Sequence, residues 1–283
     1  MATPAPNSSS NHLESWVFEQ AVASVVLVTL NPKDPKRVRA AVNQVFPLPL
    51  SDTAKVKALK QEQRLKDCKD ARCSTGFILE GAQEGQVYVM TCVHSLDHVF
   101  NAEHPITPEG INGLFDVSIL CDHAECKYRT GKAQTRRYIP AIVVQVDYSK
   151  DLMLIQMETS QVQKKCKEAH RPLKLAQKFP GPLERTVMIS WPPLRPRTAC
   201  VGETSHPARE YFEIMLHAPE AHSMNLSEVN ILGDKGSSGA PLLDGAIDVV
   251  GVYHSGAPGT LSYSYFVSFN DLRDRLITWG VRV

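Results

Sequence analysis

Short apolar runs rich in β-branched residues, each cut off by glycine, proline or polar residues, recur along the chain and constrain its fold more than any other feature. AVASVVLVTL (21–30) reads as a buried strand. Gly76–Leu79 and Gln86–Cys92, parted by the turn-forming stretch Glu80–Gly85, read as a hairpin. Tyr138–Val146, Leu152–Met157, Val187–Trp191, Tyr211–Leu216, Pro241–Leu243 and Val249–Tyr253 continue the pattern. Nineteen prolines and sixteen glycines supply the turns and favour short strands over long helices. Helical signals are confined to 51–66, behind Ser51 or Asp52, and to Ser268–Trp279, behind a capping Ser or Asn. Many short strands with one closing helix predict an all-β chain, built as two barrels or as a sandwich. At 283 residues the chain buries enough surface to need neither disulfides nor metal.

The charge balance narrows the partners. Thirty-one basic and thirty acidic side chains give a net charge of +1, too even for the global field that holds nucleic acid or a membrane. Residues 31–73 depart from this balance, with eleven Lys and Arg against five Asp and Glu. They read as a basic surface insertion, either a solvated face or a docking arm for an acidic partner. The longest apolar run, Ala21–Leu30, is too short to span a bilayer. The first residues, MATPAPNSSSNHLE, lack a basic segment followed by an apolar one, so a cytoplasmic or nuclear protein, not a secreted one, is expected. Its seven cysteines should then be reduced thiols. Cys68/Cys73 and Cys121/Cys126 are each separated by four residues, with His123 inside the second pair. Structural zinc pairs more often sit two apart, so no metal and no cofactor is expected.

Three segments carry chemistry. Gly233–Pro241 (GDKGSSGAP) sets small residues around two serines ahead of a strand. A nucleophilic serine needs such a tight turn, with backbone N–H groups aimed at the developing oxyanion. Gly236 and Ser238 would supply those two donors, and a plain Gly/Ser turn between strands is the other reading. A serine needs a base. Val89–His94 (VMTCVH) is an apolar strand with Thr91 near its end and a histidine at its edge, either a base or a packed structural residue. The histidine in turn needs an orienting carboxylate. Asp151 heads the apolar run DLMLI, either as that carboxylate or as a strand cap. His98, His104 and His123 lack the preceding strand, and Asp147 has no apolar run directly after it.

The segments occur in the order His, Asp, Ser, with gaps of 57 and 87 residues. Each resembles a block of the chymotrypsin-like, or trypsin-like, serine protease family. VMTCVH resembles its strand ending Thr-x-x-His, DLMLI its Asp plus apolar strand, and GSSGAP its Gly-x-Ser-Gly-Gly-Pro with Ala240 in place of the second glycine. STGFIL (74–79) resembles the strand before the histidine hairpin, and GVYHSG (251–256) the strand and glycine that line the primary specificity pocket. The resemblance covers roughly residues 16–280 and implies two six-stranded antiparallel β-barrels with a short C-terminal helix. It implies His94 as base, Asp151 as orienter, Ser238 as nucleophile, and Gly236 and Ser238 as the oxyanion-hole amides. On this frame residues 1–15 are a disordered tail, 16–158 the first barrel with its insertion at 31–73, and 159–172 a linker. Residues 173–267 are the second barrel, and 268–283 the helix and tail.

The departures refine the likeness. Ser95 and Ser237 stand where secreted members carry a cysteine and the Asp that pairs with a newly cut N-terminus. The chain is therefore closer to intracellular, disulfide-free members of the HtrA/Deg type, with protein or peptide as substrate. Leu232, six residues before the serine, takes the pocket-floor position and gives no reason to expect Lys or Arg at P1. Gly256 lines the pocket. His254 is either a pocket residue or a structural one, because it follows Gly251 by three residues rather than two, and one residue turns a side chain to the other face of a strand. The competing function is an inactive or closed pseudoprotease that holds a protein partner.

Overall fold

The computed structural model describes residues 12–47, 54–101, 103–121, 137–166, 168–192, 195–214, 222–257 and 263–283, with only the backbone at 54–58 and 60. Twelve strands close into two barrels, each of six antiparallel strands. The first holds β1 (Val25–Pro32), β2 (Arg72–Leu79), β3 (Gln86–Thr91), β4 (Phe115–Leu120), β5 (Ile139–Asp147) and β6 (Leu152–Glu158), in the order β1-β2-β3-β6-β5-β4. The second holds β7 (Arg185–Ser190), β8 (Thr198–Glu210), β9 (Asn225–Val229), β10 (Pro241–Leu243), β11 (Val249–Gly256) and β12 (Ser264–Ser268), in the order β7-β8-β9-β12-β11-β10. The two-barrel, all-β architecture and the closing helix expected from the sequence are both present.

The strands are nearly continuous apolar runs because each barrel faces its own interior and its neighbour. Phe77, Met90, Leu152 and Leu154 of the first barrel pack in one buried cluster with Val187, Leu226, Leu243 and Val252 of the second. That shared core fixes one barrel against the other, which a site assembled from both requires.

Seven α-helices decorate the barrels in the described residues. α7 (Phe269–Thr278) is the expected C-terminal helix, and the Ser268 hydroxyl accepts the Asp271 N–H at its start. α3 (Ala54–Asp67) is the expected helix of the basic segment, whose proposed caps at Ser51 and Asp52 lie outside the described residues. Four more were not legible as helices. α1 (Leu13–Ala21) buries Val17 and Ala21 in the shared core, so order begins ahead of residue 16. α2 (Pro35–Val45) starts at Pro35 behind an Asp34 cap and buries Val38 and Val42, so part of the basic segment is anchored to the first barrel. α4 (Pro108–Leu114) and α5 (Thr159–Lys165) are single short turns, the second inside the polar stretch between the barrels. Tyr211–Ile214, expected as strand, is the short helix α6. β8 runs to Glu210, and the chain turns there to set the Tyr211 ring edge-on to His222 and His254.

Candidate active site

β3 ends at Thr91, and His94 follows in a single 3₁₀ turn, His94–Leu96, at the barrel rim. Asp151 directly precedes β6, which pairs with β3, and is fully buried with φ of 55°. Asp tolerates this left-handed conformation better than most residues. The turn before it is pinned by Asp147, which accepts from the Ser149 hydroxyl and the Lys150 N–H, and by the Ser223 N–H donating to the Ser149 carbonyl. Ser238 comes from the second barrel, in the loop ahead of β10.

These three side chains converge. His94 Nδ1 lies 2.6 Å from Asp151 Oδ2, and His94 Nε2 lies 2.8 Å from Ser238 Oγ. A carboxylate only accepts, so Nδ1 donates, and the Nε2 of a neutral ring is left as acceptor for the serine hydroxyl. The other oxygen, Asp151 Oδ1, accepts the N–H groups of Val93 at 3.0 Å and His94 at 2.8 Å. Asp151 Oδ2 also accepts Nδ1–H of the buried His254 at 2.6 Å. Burial works to raise the Asp151 pKa, but the His94 charge and the hydrogen bonds from His254 and His94 hold it far below the usual carboxylate range. Burial works to lower His94, but the Asp151 charge, aided by Cys92, raises it well above 6.5. The Cys92 sulfur lies 3.9 Å from Nε2.

Thr75, which no sequence signal singled out, ties the serine loop to the first barrel. Its hydroxyl donates to the Gly236 carbonyl at 2.7 Å and accepts the Trp191 N–H at 2.8 Å. Its N–H donates to the Ser238 carbonyl at 2.9 Å, and its carbonyl accepts the Thr91 hydroxyl at 2.6 Å. Inside the loop, Ser237 takes the place of a charged partner. Its N–H donates to the Asp234 carbonyl, and its hydroxyl accepts the Asp234 N–H and donates to Ser190 Oγ. Among the described residues no backbone carbonyl takes the N–H of Gly236 or of Ser238, so both donors stay open. Gly239, at φ 81°, admits no side chain: a Cβ would stand 2.3 Å from both the Thr75 carbonyl and Thr91 Oγ1.

The pocket positions fall apart. Leu232 is 61% exposed. His254 turns to Asp151 rather than into a pocket. The Tyr253 ring, 5% exposed, lies so close to Gly233 that a Cβ there would meet its hydroxyl at 2.1 Å, and that hydroxyl is 3.9 Å from the Cβ position of Gly256.

No family model matches the chain, and no curated protein matches it. Solved structures do. The active form of the Rv3671c protease from M. tuberculosis aligns with a TM-score of 0.59 at 17% identity, covering 100% of this chain and 93% of that one. The inactive form of the same protease aligns with a TM-score of 0.55 at 17% identity, covering 99% of this chain and 100% of that one. Deg5 aligns with a TM-score of 0.57 at 15% identity, covering 97% of this chain and 99% of that one. The fold is chymotrypsin-like. In this chymotrypsin-like fold the His94, Asp151 and Ser238 side chains meet where the two barrels join. Among the described residues, Cys68 and Cys73 belong to no group of three possible metal ligands. The Cys68 sulfur faces the Arg64 carbonyl at 3.2 Å, and Cys73 is exposed; Cys126 and His123 lie outside the described residues.

Proposed function

We propose that the chain is an intracellular serine endopeptidase that hydrolyses peptide bonds through an acyl-enzyme. The hydrogen-bonded line from Asp151 Oδ2 through His94 to Ser238 Oγ carries this reading. Ser238 Oγ attacks the scissile carbonyl carbon as its proton passes to His94 Nε2. The N–H groups of Gly236 and Ser238 hold the resulting oxyanion. The intermediate collapses as His94 returns the proton to the leaving amine, and the N-terminal part of the substrate stays esterified to Ser238. Water, with its proton taken by His94, then attacks the ester and restores the hydroxyl. Asp151 keeps its charge throughout and fixes the ring tautomer.

Tyr253 bears on specificity. The family resemblance sets the primary pocket between the segment around Leu232 and the strand ending at Gly256, and the Tyr253 ring fills that space against Gly233. A P1 side chain larger than alanine has no room there. The same ring favours, as a second reading, a pseudoprotease whose cleft holds a partner without cutting it.

Internally quenched peptides varied at P1 separate the two. Cleavage after glycine or alanine that disappears in Ser238→Ala is the expected result. Cleavage unaffected by Ser238→Ala contradicts the protease reading, and binding of uncut peptides by the wild-type protein establishes the second.

A further inference from the structure

Cys121, Cys166 and His170 come from three places in the chain and meet on the first barrel. Cys121 directly follows β4, Cys166 caps α5, and His170 lies in the segment leading to the second barrel. Their two sulfurs and one ring nitrogen all lie within 4.8 Å of one another. Zinc holds sulfur at about 2.3 Å and nitrogen at about 2.0 Å, so tetrahedral ligand atoms stand roughly 3.5–3.8 Å apart.

The histidine is prepared for the role. Its Nδ1 lies 2.7 Å from the Ala23 carbonyl, where only a protonated nitrogen bonds, so the buried Nε2 carries the lone pair. A backbone carbonyl on the far ring nitrogen is the usual way a zinc-binding histidine is oriented. Burial foremost, and the Arg197 charge, lower its pKa. Arg197 also donates to the Cys121 carbonyl and lies over the Trp191 ring, 4.7 Å from guanidinium carbon to ring centroid. It is compatible with the metal, because a zinc ion on two thiolates and a neutral imidazole carries no net charge. Finally, Cys166 and His170 both line a cavity of about 410 Å³ bounded by Leu79, Gln86 and Val162. The cavity supplies an entry path and room for a water ligand.

We propose that Cys121, Cys166 and His170 bind one zinc ion, with water from the cavity as fourth ligand, and that the ion fastens the inter-barrel segment to the first barrel. Binding displaces the two thiol protons into solvent. The site is independent of the protease reading and has readouts of its own.

Full-length protein, reduced and freed of metal by dialysis against a chelator, is titrated with Co²⁺ and then with Zn²⁺. The expected result is a near-ultraviolet sulfur-to-cobalt charge-transfer band that saturates at one cobalt per chain and disappears on zinc addition, with a melting temperature raised by zinc. Cys166→Ser, at a half-buried helix end, and His170→Asn should each lose the band and weaken zinc binding at least about a hundredfold. Cys200→Ser, in β8, should keep both, with all folds checked by circular dichroism. A folded wild-type protein without the band overturns the proposal, and so does a band that survives Cys166→Ser and His170→Asn. Binding without the band that is lost in His254→Asn also overturns it, because the ion then sits on the His94, Asp151 and His254 cluster, which has no sulfur.

Discussion

Nδ1 of His254 lies 2.6 Å from Oδ2 of Asp151, on the oxygen that His94 also uses. One carboxylate thus accepts two imidazole N–H groups and two backbone N–H groups while fully buried. His254 packs edge-on to His94, with ring centroids 5.3 Å apart, so its bond to Asp151 sets the place of the carboxylate and through it the base. His254→Ala removes one donor to a buried charge and should cost about 2 kcal/mol of stability by chemical denaturation. The carboxylate then leans more on His94, so the pH at which activity is half-maximal should move upward. A variant that loses stability without moving the pH profile would leave His254 as packing only.

The His94 pKa is raised by its Asp151 neighbour, so the pH dependence departs from the midpoint near 6.5–7 expected of an ordinary histidine base. Catalysis needs the neutral ring. Activity should rise with pH and reach half its maximum above the ordinary histidine value of about 6.5. Stability runs the other way. A histidine whose pKa is raised on folding contributes fully below its unfolded value, about 6.5, and the contribution is lost as pH rises through the folded value. The depressed Asp151 contributes above its unfolded value, about 4, and that contribution is lost as pH falls below it. Rate profiles from about pH 5 to 9 and melting-temperature profiles extended down to about pH 2 check both signs. Activity that is flat from about pH 5 to 8 would remove His94 as the base.

Thr75→Val keeps the shape of the side chain and deletes its hydroxyl. The Gly236 carbonyl and the Trp191 N–H then lose their partner. The expected loss is about 2 kcal/mol in stability and about a hundredfold in kcat, with KM nearly unchanged, since the oxyanion loop acts on the transition state. A drop confined to KM would show that Thr75 shapes binding instead.

Tyr253→Val should open the space between Gly233 and Gly256. The ratio of kcat/KM for phenylalanine against alanine at P1 should rise at least about tenfold. An unchanged ratio would place the primary pocket elsewhere.

Much of this molecule was legible in the chain because strands and site motifs are local. The runs around Val89 and Leu152 and the turn GDKGSSGAP carry their pattern within a few residues, and the order His94, Asp151, Ser238 suggested a common site. What the sequence hid depends on the partner across the fold. α2 and α5 lie in polar stretches where one or two buried residues, Val38 and Val42 in α2 and Val162 in α5, suffice to dock a helix. Tyr211 stands in an apolar run but sits where β8 must turn. The sequence leaves His254 between a pocket role and a structural one, because only register decides whether its ring meets solvent or Asp151. Thr75 gave no signal, since its bonds reach residues 116 and 161 positions away.

The most direct measurement is the mass of the intact protein after exposure to a fluorophosphonate. A single adduct per chain, mapped to Ser238 and absent from both Ser238→Ala and His94→Ala, is the expected result for a nucleophile activated by its neighbouring base. A folded protein that forms no adduct, or one whose adduct persists in His94→Ala, would contradict it.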